Sequence, residues 1–543
     1  MRSFSVVHRG ADIADATGEV VDVLVIGMGA TGAGIALDAA SRGMSVVVVD
    51  KGDVASGTSS KSSKLIHGGL RYLENLELGL VHESVVERQI LQRLAPHLVR
   101  PMDFVYPVLS DTAKTALIGI GLTTYDVFAG LRNVKRHKRV SAAEAIDLVP
   151  PLAGSDLTRA YVYGDCATDD ARLVLAVVKA ARAFGATTLT YTEVVGLLED
   201  DSRACGATVR DALSGASYDV RARHVVNATG VWVDAVRQLE DPARPASLQP
   251  SKGVHLVLDH ASLPLKNASV FLPSRQGDER SMFVIPWGRQ TILGTTDTAY
   301  AGSLDAPSVD QADIDYCLSA ANAVFGLALR QSEVVGAWAG LRPLLRAGRS
   351  DNPSDMSRRH AVSEGPSGLL TVTGGKLTTF RRMAKDVVDR LVARDSRQAR
   401  CRTGDIQLGS SRSYVQQLAD LTSAGLAPEL TELLVRQYGA AAPDVVSLAA
   451  DDSLSDPLSP ATAHIAAEVV YAARHEGAAT LADVLSRRTR LSLRAADAAL
   501  PTAPHAAALL ARELGHDDAW AAGQVTAYAA EVRAERGALA LPA

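Results

Sequence analysis

Gly27, Gly29 and Gly32 form a G-x-G-x-x-G spacing, and Asp50 follows at the distance of an acid that reads a ribose, about 20 residues on. The first glycine allows a tight turn, and the second lets a pyrophosphate approach the backbone. The third lets helix pack closely on strand, and the N–H groups of a helix start hold the negative charge. Asp50 can bind the 2′- and 3′-hydroxyls of an adenosine ribose, and an acid there disfavours a 2′-phosphate, hence NADP. The motif alone does not separate FAD from NAD, and a tight turn that binds nothing is the alternative. A second cluster lies in residues 55–75. Hydroxyls at Ser56, Thr58, Ser59, Ser60, Ser62 and Ser63 precede Lys64, His67, Gly68, Gly69 and Arg71. Such a stretch offers many donors. A solvated linker is the bland alternative, but it would not need Leu65, Ile66, Leu70, Tyr72 and Leu73.

The elements around these residues are legible. Val21, Val23, Leu24, Val25 and Ile26 make a β-branched run suited to a strand buried on both faces. A helix is expected over residues 31–42, stopped by Gly43, then a strand over 45–49. Helical spacing of Val81, Val85, Leu91 and Leu94 predicts a helix over 78–95. Another is expected over 169–184, with Asp169 and Asp170 favoured at its start by the helix dipole. Residues 188–195 and 225–228 read as strands, the latter running into Thr229–Gly230. Residues 256–298 alternate like strands, with turn signals at Gly277–Asp278 and Gly288. From about residue 398 the pattern is helical, over 415–438, 461–475 and 480–488.

The chain has 543 residues, 47% hydrophobic and 22% charged, as in an ordinary globular protein of several domains. A formal net charge of −5 gives no reason to expect nucleic acid. Cys166, Cys205, Cys317 and Cys401 are scattered, so neither a metal site nor a disulfide framework is expected, and reduced cysteines in a cytoplasmic protein are the simple reading. Residues 1–20 carry Asp12, Asp15 and Glu19 without an apolar core and read as a frayed leader, not a signal peptide. No stretch is apolar enough to span a membrane. Residues 116–131 come nearest, broken by Asp126, and suit a core helix or a helix lying on a membrane surface.

The stretch SSKLIHGGLRYLE at residues 62–74 resembles a signature of the FAD-dependent, quinone-linked glycerol-3-phosphate dehydrogenases, within the D-amino-acid-oxidase-like superfamily. YGDCATDDARLVLA (163–176), VVNATGVW (225–232), SKGVH (251–255), LGTTDT (293–298), AGLRPL (339–344), SRRHAV (357–362) and TGGKLTTFR (373–381) fit the same family, in order. The resemblance implies an α/β fold. A Rossmann-like FAD-binding domain would be built from residues 21–110, 161–250 and 363–398. A mixed insertion would occupy 111–160, a mixed or antiparallel β-sheet substrate domain 251–362, and a helical domain 400–543, used for packing, dimerisation or membrane contact.

The resemblance assigns FAD contacts to Gly27, Gly29, Thr31, Gly32, Asp50 and Lys51, and to Thr58, Ser59, Ser63, Lys64, Leu65 and His67. Val194 would meet the adenine through its backbone, and Thr229, Gly230, Gly375, Leu377 and Thr378 would meet the flavin half. The substrate implied is sn-glycerol 3-phosphate, whose phosphate needs fixed cations. Arg71, Arg342, Arg358 and Lys376 are the candidates, with Tyr72 as a possible hydrogen-bond partner. His255 is the candidate base, alongside Arg342 and Lys376 as catalytic residues, because imidazole accepts a proton near neutral pH. The expected reaction moves a hydride from C2 to flavin N5, yielding dihydroxyacetone phosphate. The family's acceptor is a membrane quinone, which implies peripheral membrane contact on the cytoplasmic face, and a homodimer is expected. An oxidase using O₂, or a flavoprotein acting on an amino or hydroxy acid, remains open.

Overall fold

Val21–Ile26 lies at the heart of a mainly parallel sheet, with Val46–Val49 on one side and Ser217–Asn227 on the other. Beyond these stand Thr187–Leu189 and Leu370–Thr373, both parallel, and Ala361–Glu364, antiparallel at the edge. The computed structural model describes residues 2–69, 77–109, 112–130, 134–272, 282–346, 360–409, 413–423, 425–460 and 462–539. Continuous Val and Ile in the central strands follow from helices covering the sheet. Helices Ala30–Ser41, Asp170–Ala183 and Phe380–Arg394 pack together on one face, sharing a core that includes Ile35, Val177 and Val387.

A second sheet has ten strands. Its centre pairs Leu248–Asp259 with Val334–Leu345, antiparallel along nearly their whole length. Gln290–Gly294, Met282–Trp287 and Ala268–Leu272 continue it, followed by Arg100–Leu109 and Leu157–Ala167. The expected boundaries at residues 110 and 161 therefore shift. Residues 100–109 and 157–167 belong to this sheet, because their backbone groups pair with each other and with Ala268–Leu272 rather than with the parallel strands. The turn expected at Gly288 is present, with φ at +67°; the one expected at Gly277–Asp278 lies outside the described residues.

The frayed leader does not hold either. Residues Arg9–Gly18 are helical, Phe4 is buried, and Ser5 Oγ donates to the Ala473 carbonyl at 2.7 Å. Arg9 reaches Asp211 and Thr192, and Arg182 reaches Asp12, so one of the acids that spoke against a signal peptide serves as an anchor. The strand expected over 188–195 is two, Thr187–Leu189 and Thr192–Asp200, split where Tyr191 takes a φ of +54°.

Residues 413–539 form helices, from Tyr414–Ser423 to Asp518–Arg536, around their own apolar core. Residues Asp483–Arg488 make a π-helical turn, and this turn fastens the helical part to the rest. Arg487 Nε donates to Asp53 at 2.6 Å and Arg488 Nη2 to the same carboxylate at 2.9 Å. Arg172 meets Glu476 at 2.6 Å. No helix among the described residues is long and apolar enough to cross a membrane.

Candidate active site

Helix Ala30–Ser41 begins at the glycine turn. Its first N–H, on Ala30, donates to Ser59 Oγ at 2.9 Å. The N–H groups of Thr31 and Gly32 have no acceptor within the helix, as in any first turn, and can meet an anion. Gly27 sits at φ +103°, and a Cβ at Gly32 would stand 1.9 Å from the Gly27 carbonyl oxygen. The glycines thus hold turn, helix and strand closer than any side chain permits. Asp50, buried at the end of Val46–Val49, accepts from Met28 N at 2.6 Å and Gly52 N at 2.9 Å. Burial raises its pKa.

A cavity of about 480 Å³ runs from Asp50 over this turn. Gly27, Gly29, Thr31, Lys51, Thr58, Ser59, Val194, Thr229 and Gly230 line it, together with Trp232, unremarked inside VVNATGVW, and Glu193 and Arg210, which no motif marked. Lys51 lies over the Trp232 ring at 4.4 Å. A second cavity, of about 270 Å³, adjoins it. Ala30, Thr58, Ser59, Pro343, Gly374, Gly375, Lys376 and Leu377 line both. A long ligand can therefore enter one cavity and present its far end to the other. This elongated cradle, with bare helix N–H groups at mid-length and an acid at one end, fits a dinucleotide. Gly32→Ala is expected to lower the fraction of purified protein carrying bound dinucleotide at least about tenfold. Full occupancy by visible absorbance would contradict that role.

The second cavity gathers the expected reactive groups. Ser63, Leu65, His67, His255, Arg342, Lys376 and Thr378 all line it. Arg342 is held by three neighbours in the motif LGTTDT: Nη1 donates to Asp297 at 3.1 Å, and Nη2 to Thr295 Oγ1 and the Thr296 carbonyl, both at 3.1 Å. His255 Nε2 and Ser63 Oγ share a hydrogen bond of 2.8 Å, and the imidazole stacks on Trp338 at 4.9 Å. Burial, reinforced by Arg342 and Lys64, holds the His255 pKa well below its ordinary value, so the ring is neutral. Lys376 reaches Ser84 Oγ at 3.4 Å from the wall that the two cavities share. Phe104, Phe271 and Phe283, single strand aromatics that carry no motif, supply an apolar side that sequence reasoning missed, joined by Tyr163, which opens the motif at 163–176. Asp165 and Asp297 also line this cavity, and both stood unremarked inside quoted motifs.

Lys64 departs from expectation. It lies outside both cavities, with Nζ 3.0 Å from Asp170 and 4.5 Å from the Trp338 ring centre. Burial and the neighbouring Arg490 bring its pKa down to about 8. Asp170 is correspondingly more than a helix-start charge. Asp169 caps the helix by accepting from Arg172 N at 3.1 Å, while Asp170 sits beneath it, bonded to Ser62, Lys64 and Arg490. Gly32 lines neither cavity, and its lack of a side chain serves the close packing on Gly27. Arg71, Tyr72 and Arg358 lie outside the described residues.

The chain was compared with known proteins. A profile of the FAD dependent oxidoreductase family matches residues 22–381, and one for the C-terminal domain of alpha-glycerophosphate oxidase matches residues 401–521. Glycerol-3-phosphate dehydrogenase 2 of Mycobacterium tuberculosis is 40% identical over 95% of this chain and 89% of its own length. The aerobic glycerol-3-phosphate dehydrogenase of Bacillus subtilis is 36% identical over 90% of each chain. Among solved structures, the glycerol-3-phosphate dehydrogenase from Bacillus halodurans complexed with FAD superposes with a TM-score of 0.81 at 28% identity, covering 98% of both chains.

Proposed function

Because the chain belongs to the FAD-dependent glycerol-3-phosphate dehydrogenase family, we propose that it oxidises sn-glycerol 3-phosphate to dihydroxyacetone phosphate and passes the electrons to a membrane quinone. The observation that carries the substrate is Arg342, fixed by Asp297 and Thr295 in the cavity that also contains His255. A planar guanidinium held in this way is an oriented positive charge in the cavity, matched to a phosphate. Lys376 adds a second charge from the shared wall. FAD, when bound, supplies the hydride acceptor. His255 takes the proton of the substrate hydroxyl, which it can do because burial keeps it neutral. The aromatic side formed by Phe104, Phe271 and Phe283 excludes water from the reacting carbon.

The direct test is anaerobic mixing of yellow protein with glycerol 3-phosphate, following the loss of visible flavin absorbance. No bleaching would overturn the substrate. The pH dependence of this step follows from His255. Its folded pKa lies below the ordinary 6.5, so the ring remains able to accept a proton as pH falls through 6.5. Flavin reduction is therefore expected to show no acid limb between about pH 8 and 6. A limb centred near 6.5 would remove His255 as the buried base.

Quinone as acceptor is supported by helix Thr112–Ala129, which leaves Ile120 and Val127 exposed and is followed by exposed Arg136, Lys138 and Arg139. An apolar face beside a basic run suits an anionic membrane surface. Peroxide formed in step with substrate consumption, faster than reduction of a quinone analogue, would instead make it an oxidase.

A further inference from the structure

A third cavity, of about 600 Å³, opens between the second sheet and the helical part, away from the two already described. Its lining is cationic. Arg100, Arg436, Arg490 and Arg494 face it from three separate elements, Arg490 capping the short helix that ends in Arg494, and each of the other three perturbs Arg494 electrostatically. Asp169 already pairs with Arg490, and Glu432 already pairs with Arg436. Glu429 is exposed at the rim. Arg100 and Arg494 form no ion pair among the described residues. Burial, joined by the neighbouring arginines, pushes both guanidinium groups down to about 10, and Asp169 offsets it only in part.

A second observation points the same way. Several buried polar atoms around this cavity have no hydrogen-bond partner among the described residues: Thr168 Oγ1, Thr462 Oγ1 and Arg494 Nε, which can donate, with His97 Nδ1 and the amide oxygen of Gln437 beside them. Buried donors are ordinarily satisfied, and orphans grouped on one cavity mark something that belongs between them. Arg494 is otherwise well placed, stacked on Trp287 at 4.5 Å and donating to the Trp287 carbonyl at 3.1 Å, so its plane is fixed while Nε stays unused.

We propose that this cavity is a binding site for a small, multiply charged phosphate anion, held by Arg100, Arg436 and Arg494 with Thr168 and Thr462 as hydroxyl donors. The volume lies within the range of small-molecule sites and exceeds what one ordered ion needs. Guanidinium groups converging from different elements match phosphoryl oxygens in two-point contacts. The site is distinct from the phosphate position proposed at Arg342, since the cavities share no lining residue. It does not rest on the identity of the oxidised substrate.

The test is calorimetric titration of FAD-loaded full-length protein with pyrophosphate, and separately with inorganic phosphate. Wild type, Arg100→Gln, Arg436→Gln and Arg342→Ala are compared. Pyrophosphate is expected to bind wild type and Arg342→Ala with similar affinity, and each cavity variant at least about tenfold more weakly. Inorganic phosphate is expected to bind this site more weakly than pyrophosphate. Flavin reduction by glycerol 3-phosphate, without added anion, is expected to be unchanged in Arg100→Gln, showing that the variant folds. Pyrophosphate binding lost in Arg342→Ala but retained in Arg100→Gln and Arg436→Gln would overturn the proposal. So would no pyrophosphate binding to Arg342→Ala at all, which would mean that ordered water alone fills the cavity.

Discussion

Replacing Arg342 by alanine is expected to lower kcat/KM for glycerol 3-phosphate by about two to three orders of magnitude. Truncating one partner of a hydrogen-bonded charge pair costs about 2–5 kcal/mol, and each 1.4 kcal/mol is about a factor of ten. The loss has two sources. The phosphate loses its oriented donor, and Asp297 is left with its carboxylate facing a cavity built to take an anion. Asp297→Asn, which leaves the guanidinium present but less firmly held, is expected to cost less, mainly in KM. Arg342→Lys keeps the charge and loses the planar fork, so only part of the activity should return. Rapid-mixing measurement of flavin reduction over a range of substrate concentrations separates these cases. An Arg342→Ala rate constant within about threefold of wild type would remove the phosphate clamp.

The second large effect is on stability. Asp170→Asn is expected to destabilise the protein by about 3–5 kcal/mol, because Lys64 would remain buried without its paired carboxylate and Arg490 would keep only Asp169. Desolvation works to raise the Asp170 pKa, yet Lys64 and Arg490 outweigh it and hold it low. A carboxyl whose folded pKa is depressed contributes its full stabilisation above the unfolded value, near 4. It loses that contribution as pH falls toward the folded value. Thermal release of the cofactor at pH 7, compared between wild type and variant, reads the effect. Asp169→Asn serves as control, since an amide can still accept from Arg172 N at the helix start, and a much smaller drop is expected. Equal melting of wild type and Asp170→Asn would show that the two cations find other partners.

What the sequence disclosed and what it concealed follow from how local each signal is. The glycine turn, Asp50 and the strands flanking them are local: a few adjacent residues fix backbone geometry, and helix Ala30–Ser41 begins within one residue of expectation. His255, Arg342 and Lys376 were legible only through the resemblance, and the fold brings all three to one cavity. What stayed hidden is pairing between distant segments. Nothing near Asp170 announces that Arg490 will cover it, so a helix-start role was the natural reading. Lys64 shares a motif with Ser63 and points the other way, because neighbours in an irregular loop need not share a face. Strand Arg100–Leu109 was placed with the wrong sheet for the same reason: its partners are Leu157–Ala167 and Ala268–Leu272, far along the chain.

The arginines after residue 486 also set a timetable. Arg488 meets a carboxylate 435 positions earlier, and Arg490 one 320 positions earlier. On a ribosome adding about 5–20 residues per second, Asp53 waits roughly 20–90 s for Arg487 and Arg488 to be made. During that interval the dinucleotide fold carries an unmatched set of buried charges, so its first half cannot mature domain by domain. A chain cut short before Arg488 would therefore be a substrate for chaperones and proteases, and cofactor loading is expected to follow translation rather than accompany it.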